Sequence, residues 1–308
     1  IVINNACQTI RRPIKYYTPL LRTEMQPLSQ LAPAASSSIT VTGLLRQHSS
    51  MQAQRAATLF DHRKLENNEK TAVFSVSESS GETSGSLRHA PASPSQTSTD
   101  IVHLTDMISS ARQSQIPLVP EDLSAGAKEF PAQVLDVNGQ QVDLRKKNTW
   151  VTRLAEVESA EVAEVFAINA IAPFVLNSRL SSLLASSSHT HTFIVNVSAM
   201  EGKFNRVKSG YHPHTNMAKA ALNMMTATSA KEMASRNIYM NSVDTGWIND
   251  ENPLWKASEY AKAHNFQTPL DEIDAAARVL APVFEGVGER TAPPPFGKFF
   301  KDYHQTEW

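Results

Sequence analysis

Two short apolar runs of strand length, separated by a helix-length segment, constrain this sequence more than any other feature. Thr192–Ser198 is rich in β-branched and aromatic residues and mostly apolar, as a strand covered on both faces should be, and Ile238–Val243 is a second short strand. Between them, Thr215–Ser235 contains many alanines and methionines, which favour a helix. Strand, helix and strand in this order predict parallel strands joined by a right-handed crossover, as in an α/β sheet.

Helical periodicity predicts two further helices. Apolar residues recur at roughly helical spacing over 159–184, with Ser159 as a suitable N-cap. We expect Pro173 to kink this helix, because proline lacks the N–H that the preceding turn requires. A second helix is predicted over 271–284, so helices precede and follow the two strands.

The chain opens directly on an apolar run, Ile1–Ile3, without an initiator methionine or a polar lead-in. We interpret this run as the end of a buried strand, followed by a turn, and we expect the chain to be truncated at its N-terminus. A sheet without its upstream strands would expose an unpaired edge. We therefore expect these 308 residues to fold poorly on their own.

Composition changes between residues 27 and 130. Three stretches there, 34–38, 77–86 and 90–100, consist mainly of Ser, Thr, Ala, Gly and Pro. Such segments bury too little apolar surface to offset a chain entropy of about 1–2 kcal/mol per residue. We predict a disordered insertion at 27–130, interrupting one domain made of residues 1–26 and 131–308.

Charge and residue content exclude several classes of function. The formal net charge of -1 provides no positive field for nucleic acid, and no run approaches the roughly 20 apolar residues of a membrane span. The single cysteine, Cys7, cannot form an intramolecular disulfide or a cysteine-based zinc site, which favours a reducing, cytoplasmic location. The histidines show no metal-ligand spacing, so we predict no metal site.

Four short motifs occur in an order that resembles the second half of a short-chain dehydrogenase/reductase. They match the family's N-N-A-G turn after its fourth strand, its helix asparagine, the lysine of its Tyr-x-x-x-Lys motif and its V-x-P-G-x stretch after the sixth strand. The corresponding residues here are Asn4-Asn5-Ala6-Cys7, Asn169, Lys219 and Val243-Asp244-Thr245-Gly246-Trp247. A divergent subgroup with T-N-M-A-K-A-A-L-N-M is still more similar, at residues 215–224.

This resemblance implies an incomplete Rossmann-like, doubly wound parallel sheet from the fourth strand onward, and NAD or NADP as the cofactor of the complete protein. It implies a small carbonyl or alcohol substrate and a homodimer formed through the helices at 159–184 and 215–235. Lys219 would hold the nicotinamide ribose, and the backbone of Asn169 would help to hold a water of the proton relay. The other residues implied to line the cofactor are Asn4, Asn5, Ala6, Thr245 and Gly246.

Two catalytic side chains of the family are replaced in this sequence. Thr215 stands in the tyrosine position, and an alkanol hydroxyl is too weak an acid for that role. His214 is a hypothetical substitute because imidazole titrates near neutrality, and the alternative is a capping or surface role. Ala199 occupies the usual serine position. Ser198 would replace the family serine only if the end of its strand turned differently. The alternative is that its hydroxyl bonds the backbone at the strand end.

The glycine-rich turn that binds a dinucleotide pyrophosphate would lie upstream of Ile1. The segment 71–86 imitates such a turn but lacks the third glycine, and the prolines that follow it are incompatible with the required helix. We therefore expect no tight dinucleotide binding by the chain as given. Two hypotheses follow for the complete protein: an NAD(P)-dependent oxidoreductase, or a non-catalytic binding or scaffold protein that retains the fold.

Overall fold

The chain divides into two compact units, one formed by residues 1–17 and 117–308 and the other by residues 18–116. The second unit contains helix α1 (Thr18–Glu24). The predicted disorder at 27–114 and the glycine-turn imitation at 71–86 lie outside the described residues. The computed structural model describes residues 1–5, 7–24, 115–136, 139–288 and 293–308.

A five-stranded sheet forms the centre of the larger unit, and the predicted α/β fold with parallel strands is confirmed. Strands β1 to β4 are parallel, and β5 returns antiparallel to β4. Every residue of β2 and β3 is buried, as expected for strands covered on both faces. In spatial order the strands are β1 (Val2–Asn4), β2 (Thr192–Ser198), β3 (Ile238–Asp244), β4 (Phe299–Lys301) and β5 (His304–Thr306).

Helices cover both faces of this sheet. Alternate residues of β2 point to opposite faces, so Phe193 packs with Val283 while Ile194 packs with Met233. The helices are α2 (Pro120–Ser124), α3 (Ser159–Phe166), α4 (Ala172–Ala185), α5 (Pro213–Ala234), α6 (Leu254–His264) and α7 (Glu272–Gly288). Short 3-10 turns lie at Ile14–Tyr17, Thr149–Val151, Leu154–Glu156 and Met200–Gly202.

The buried-strand interpretation of the first residues is only partly correct. They form β1, but Ile3 is 41% exposed. Asn4 is buried, and its Nδ2 donates to Oδ1 of Asn177 and to Oδ1 of Asn196. Polar bonds between side chains therefore attach β1 to α4 and β2, in addition to the packing of Val2 against the cluster around Ile194.

The predicted long helix is present, but a π-helical turn at Ala167–Ile171 divides it into α3 and α4. In an α-helix the N–H of residue 173 would bond the carbonyl of Asn169, and Pro173 has no N–H to give. The predicted kink is thus a widened turn. The helix also begins one residue earlier than predicted, because Glu158 is its N-cap and Ser159 its first residue.

The buried face of this helix is more polar than its apolar periodicity predicted. Phe174 and Leu176 are 59% and 47% exposed. By length and composition Ser159–Ala185 is apolar enough to cross a membrane, a test that core helices of α/β units also pass. The buried residues lie four positions apart along the chain. They are Glu161, Val165, Asn169, Pro173, Asn177 and Ser181.

Part of the predicted insertion folds within the larger unit. Asp122 of α2 binds the Arg11 guanidinium through two hydrogen bonds of 2.8 and 2.6 Å, and both side chains are buried. Arg11 also bonds Glu164 on α3 at 2.9 Å. Phe130 is buried at 3% exposure. Residues 117–130 therefore belong with the α/β unit rather than with an insertion that ends at residue 130.

Candidate functional site

The carboxyl ends of three parallel strands meet at one edge of the sheet. Asn4 of β1 lies beside Asn196 of β2, and Ser198 lies beside Asp244 of β3. In open α/β sheets, ligands bind outside the carboxyl ends of the strands. The loops that leave β1, β2 and β3 therefore define the candidate site.

Lys219 lies at this edge with its side chain held between β1 and β2. It is 4% exposed. Its Nζ donates to the Val197 carbonyl at 2.9 Å and to Sγ of Cys7 at 3.0 Å. Among the described residues, no carboxylate forms an ion pair with it. The structure therefore brings together two motifs that are more than 200 positions apart in sequence.

Two polar residues flank Lys219 one helical turn away on α5. Thr215 and Asn223 are buried, and neither Oγ1 of Thr215 nor Nδ2 of Asn223 has a hydrogen-bond partner in the described structure. Residues four apart share a helix face. The sequence analysis missed Asn223, although its spacing from Lys219 within an apolar helix was the available signal.

Gly202 permits the close approach of α5 to the loop that follows β2. A Cβ at this position would lie 2.6 Å from the carbonyl carbon of Lys219 and 2.7 Å from Nδ2 of Asn223. Any side chain at residue 202 would consequently displace the turn of α5 that carries Lys219.

The Ser198 hydroxyl faces α5. Its Oγ donates to Oδ1 of Asn223 at 2.6 Å, and the residue is 3% exposed. Its partner is a side chain rather than the backbone group that we considered. Ala199, in the usual serine position, is partly exposed at the strand end.

His214 is buried between α5 and α3. Its Nε2 lies 3.5 Å from Oε1 of Glu161, and neither ring nitrogen has a hydrogen-bond partner in the described structure. The N-cap of α5 is His212 instead. The structure thus places His214 in neither a capping nor a surface position, and it faces α3.

His212 anchors the start of α5 to the 3-10 turn at Thr149–Val151. Its ring stacks on Trp150 at 3.7 Å between centroids, and Nδ1 lies 2.8 Å from the Trp150 carbonyl. Its backbone N–H donates to the carbonyl of Thr152. Burial lowers the pKa of His212, so the neutral ring is favoured in the folded protein.

Asn169 lies in the π-helical turn and reaches the loop after β1. Its Nδ2 donates to the Gln8 carbonyl at 2.9 Å and to the Val165 carbonyl at 3.0 Å. Its Oδ1 is buried without a partner in the described structure. The side chain thus fixes the loop that carries Cys7, while Pro173 removes the α-helical donor to the backbone carbonyl of Asn169.

Asp244 holds the ends of β2 and β3 together. Its Oδ1 accepts from the N–H of Gly246 at 2.6 Å, and its Oδ2 accepts from the N–H of Met200 at 2.8 Å. Gly246 has φ of 83°, and a Cβ there would collide with the Leu270 side chain. Thr245, beside them, bonds within this turn. The sequence analysis missed Asp244, although an acid ending an apolar strand was a usable signal.

The predicted asparagine turn is divided between two environments. Asn4 is buried in bonds to side chains, as described above, whereas Asn5 is exposed at the end of β1. Ala6 lies outside the described residues.

Within the described ranges, no cluster of three or more His, Cys, Asp or Glu side chains could hold a metal ion.

A titratable group that the sequence analysis missed follows Gly246. Burial raises the pKa of the Glu251 carboxyl, and the nearby Arg12 guanidinium opposes that effect. The backbone carbonyl of Glu251 accepts from Nδ2 of Asn148 at 2.9 Å. A buried carboxyl group with a raised pKa is a candidate for functional chemistry.

The site lies within a segment that matches a known family. Residues 141–281 match the family model described as enoyl-(acyl carrier protein) reductase, a model of short-chain dehydrogenases/reductases. The chain is also 33% identical over 153 residues to "Uncharacterized protein R665" of Acanthamoeba polyphaga mimivirus, a match that covers 47% of this chain and 32% of that protein. The alignment thus spans about a third of that relative's length.

Solved structures of reductases and oxidoreductases are partly similar. The NADPH-bound carbonyl reductase from chicken fatty liver has 17% identity and a TM-score of 0.38, covering 51% of this chain and 61% of that one. Carbonyl reductase Sniffer of D. melanogaster has 20% identity and a TM-score of 0.36, covering 48% and 57%. A Brucella ovis oxidoreductase in complex with partially ordered NAD has 27% identity and a TM-score of 0.29, covering 39% and 51%.

The parallel sheet and the family match together define what this chain resembles. The α/β unit resembles the short-chain dehydrogenases/reductases, and its match to their family model covers residues 141–281. Two of the partly similar structures are bound to NADPH or to NAD.

Proposed function

We propose that the complete protein is an NAD(P)-dependent oxidoreductase that transfers hydride between the cofactor and a small carbonyl or alcohol substrate. The observation that carries this proposal is the position of Lys219, a buried ammonium at the carboxyl edge of a parallel sheet without a carboxylate partner among the described residues. A structural lysine on the surface of a helix would not require this burial.

The residues at this edge fit the nicotinamide end of the cofactor. An ammonium has three N–H groups, and the bonds from Lys219 to Val197 and Cys7 leave one for a ribose hydroxyl. Asn5 is exposed at the end of β1, and Thr245 and Gly246 form the turn after β3. A bound nicotinamide would supply the hydride chemistry, and the chain's residues would bind and orient it.

The π-helical turn fits the role of holding a water. Because Pro173 has no N–H, the backbone carbonyl of Asn169 lacks its α-helical donor. We propose that this carbonyl holds a water that passes protons toward Lys219. His214 faces Glu161 instead of the strand ends, so we propose it as a positioning residue between α5 and α3.

A second candidate function is non-catalytic binding or scaffolding. Two observations favour it: Thr215 replaces the usual acid, and the Ser198 hydroxyl donates to Asn223 instead of to a substrate. In this case the fold would bind a cofactor or a partner without turnover.

One experiment separates these two functions. The full-length protein is assayed for NADH and NADPH oxidation with a panel of aldehydes and ketones. We expect turnover that Lys219→Ala abolishes and that the exposed Lys231→Ala, on the same helix, leaves unchanged. Cofactor binding without turnover on any carbonyl would support the scaffold, and turnover that survives Lys219→Ala would contradict the site assignment.

We further propose a homodimer formed through α4 and α5. Both helices expose large apolar side chains among the described residues: Phe174, Val175 and Leu183 on α4, with Ile171 just before it, and Met217 and Met224 on α5. Exposed apolar residues that cluster on one side of a protein mark interaction surfaces. Light scattering should give a dimer that Phe174→Asp converts to a monomer while Phe284→Asp on α7 does not; a monomeric native protein would contradict this proposal.

A further inference from the structure

Cys7 and Lys219 bring a thiol and an amine into direct contact at the edge of the candidate site. Sγ of Cys7 lies 3.0 Å from Nζ of Lys219, and both atoms contact the Val197 carbonyl, at 3.5 and 2.9 Å. Cys7 is exposed, so a small molecule has access to the sulfur from solvent. Lys219 itself is buried.

The surroundings of Lys219 contain polar groups without partners. Oγ1 of Thr215 and Nδ2 of Asn223 are both buried without a hydrogen bond in the described structure, one turn before and one turn after Lys219. Buried polar groups without partners cost free energy and are uncommon in native proteins. A second oxygen of the ligand, other than the aldehyde oxygen that leaves as water, would provide the missing acceptor or donor for Thr215. These groups are observations independent of the cysteine, and they indicate a polar ligand.

We propose that Cys7 and Lys219 form a covalent site for small aldehydes, which bridges the two side chains through one carbon atom. The Lys219 ammonium first gives a proton to water, and its amine then condenses with the aldehyde, forming a C=N bond and releasing water. The Cys7 thiol then adds across that bond: sulfur bonds the carbon and the thiol proton moves to nitrogen. The product is an N,S-acetal, and the sequence needs neither an oxidant nor a reductant.

The distance between Nζ and Sγ favours ligands that bridge the two atoms through a single carbon. A nitrogen and a sulfur bonded to the same carbon lie slightly closer together than the 3.0 Å observed between Nζ and Sγ. One carbon therefore joins them with little movement of either side chain. A longer bifunctional electrophile would have to push Cys7 away from the Val197 carbonyl.

The first test uses o-phthalaldehyde on the full chain. This dialdehyde forms a fluorescent isoindole from one amine and one thiol, with loss of two waters, only where the two groups are neighbours. Cys7 is the single cysteine of the chain, so any isoindole formed with a protein thiol must contain it. We expect one isoindole per chain, lost in Cys7→Ser and Lys219→Arg and retained in the exposed control Lys231→Arg.

A chemical control on the native protein makes the test independent of whether the variants fold. Cys7 is first blocked with methyl methanethiosulfonate, which should prevent the isoindole, and then released with a reducing agent, which should restore it. No signal in the native protein, or a signal that persists in Lys219→Arg, would overturn the proposal.

The second test establishes the one-carbon bridge with formaldehyde. Peptide mapping should find the Cys7 and Lys219 peptides joined, with the mass gain of one carbon atom. Formaldehyde adducts on either side chain alone, without the joined peptide, would contradict the bridged product. Neither test requires a nicotinamide cofactor, so their outcome is separate from that of the proposed oxidoreductase activity.

Discussion

Oγ of Ser198 donates a 2.6 Å hydrogen bond to Oδ1 of Asn223, and this bond joins the end of β2 to α5. Asn223 lies one turn beyond Lys219 on the face of α5 that meets the sheet. The bond therefore fixes the position of Lys219 relative to the strand ends. It also commits the Ser198 hydroxyl to a structural partner.

Ser198→Ala should reduce stability more than it reduces activity. Removing the hydroxyl leaves Oδ1 of Asn223 buried without its donor, a loss of about 1–3 kcal/mol. Ser242→Ala is a matched control, because it removes a buried hydrogen bond from Ser242, on the adjacent strand β3, to Thr226 of α5. Urea unfolding should show similar losses for both variants. A collapse of turnover in Ser198→Ala alone would mean that its hydroxyl contacts the substrate.

Asp122→Asn should destabilise the larger unit strongly. It leaves the buried Arg11 guanidinium without its bidentate partner, and removing one partner of a buried ion pair costs about 3–5 kcal/mol. Glu156→Gln, in the exposed pair with Lys147, should change unfolding far less. Equal effects of the two substitutions would show that α2 is not held by this pair.

The Asp122 pair should also be sensitive to acid. Burial alone would raise the pKa of Asp122, but Arg11 and the N–H groups of Leu118 and Val119 outweigh it and hold that pKa below its usual value. The pair's contribution to the free energy of unfolding is therefore present above the pKa of about 4 that Asp122 has in the unfolded chain. It is lost as pH falls through the lower pKa of Asp122 in the folded protein. In urea titrations, Asp122→Asn should remove this acid dependence; an unchanged pH profile would exclude Asp122 as its source.

His212 should make stability depend on pH near neutrality. Burial lowers its pKa, so its contribution is complete above the unfolded pKa of about 6.5 and is lost as pH falls through the lower folded pKa. His212→Asn keeps a residue that tolerates the left-handed backbone and removes the titration. The exposed His264→Asn should retain the wild-type profile. If both variants retained it, the stacked ring would not be the titrating group.

Gly246→Ala should be more damaging than Gly139→Ala. Both glycines have positive φ, which costs another residue about 1–2 kcal/mol. A Cβ at Gly246 would also collide with Leu270, whereas a Cβ at Gly139 has no atom within 4 Å. Thermal unfolding should show the larger decrease for Gly246→Ala. Equal decreases would mean that Leu270 moves aside freely.

The regular elements of this fold were largely predictable from sequence, because β2, β3 and α5 have strong composition and length signals. The π-helical turn was not, since it depends on one missing N–H at Pro173 within an otherwise helical pattern. The buried face of α4 was also unpredictable, because Asn177 is buried through bonds to Asn4 and Asn196 rather than through hydrophobicity.

The site was predictable only where a residue carries its own signal. Lys219 and Gly246 stand in recognisable motifs. The contacts of Cys7, Asn223 and Asp244 depend on tertiary structure, because their partners are distant in sequence. The cytoplasmic location favoured by the single cysteine stays a prediction.

The most direct test of the central claim is a fluorescence titration of NADH and NADPH into the full-length protein and its Lys219→Met variant, with Lys231→Met as control. The account predicts saturable binding to the wild type and the control, and at least a strong loss of affinity in Lys219→Met. Equal binding by all three proteins would contradict the placement of the nicotinamide ribose at Lys219, and no binding by any would show that the fold serves another purpose.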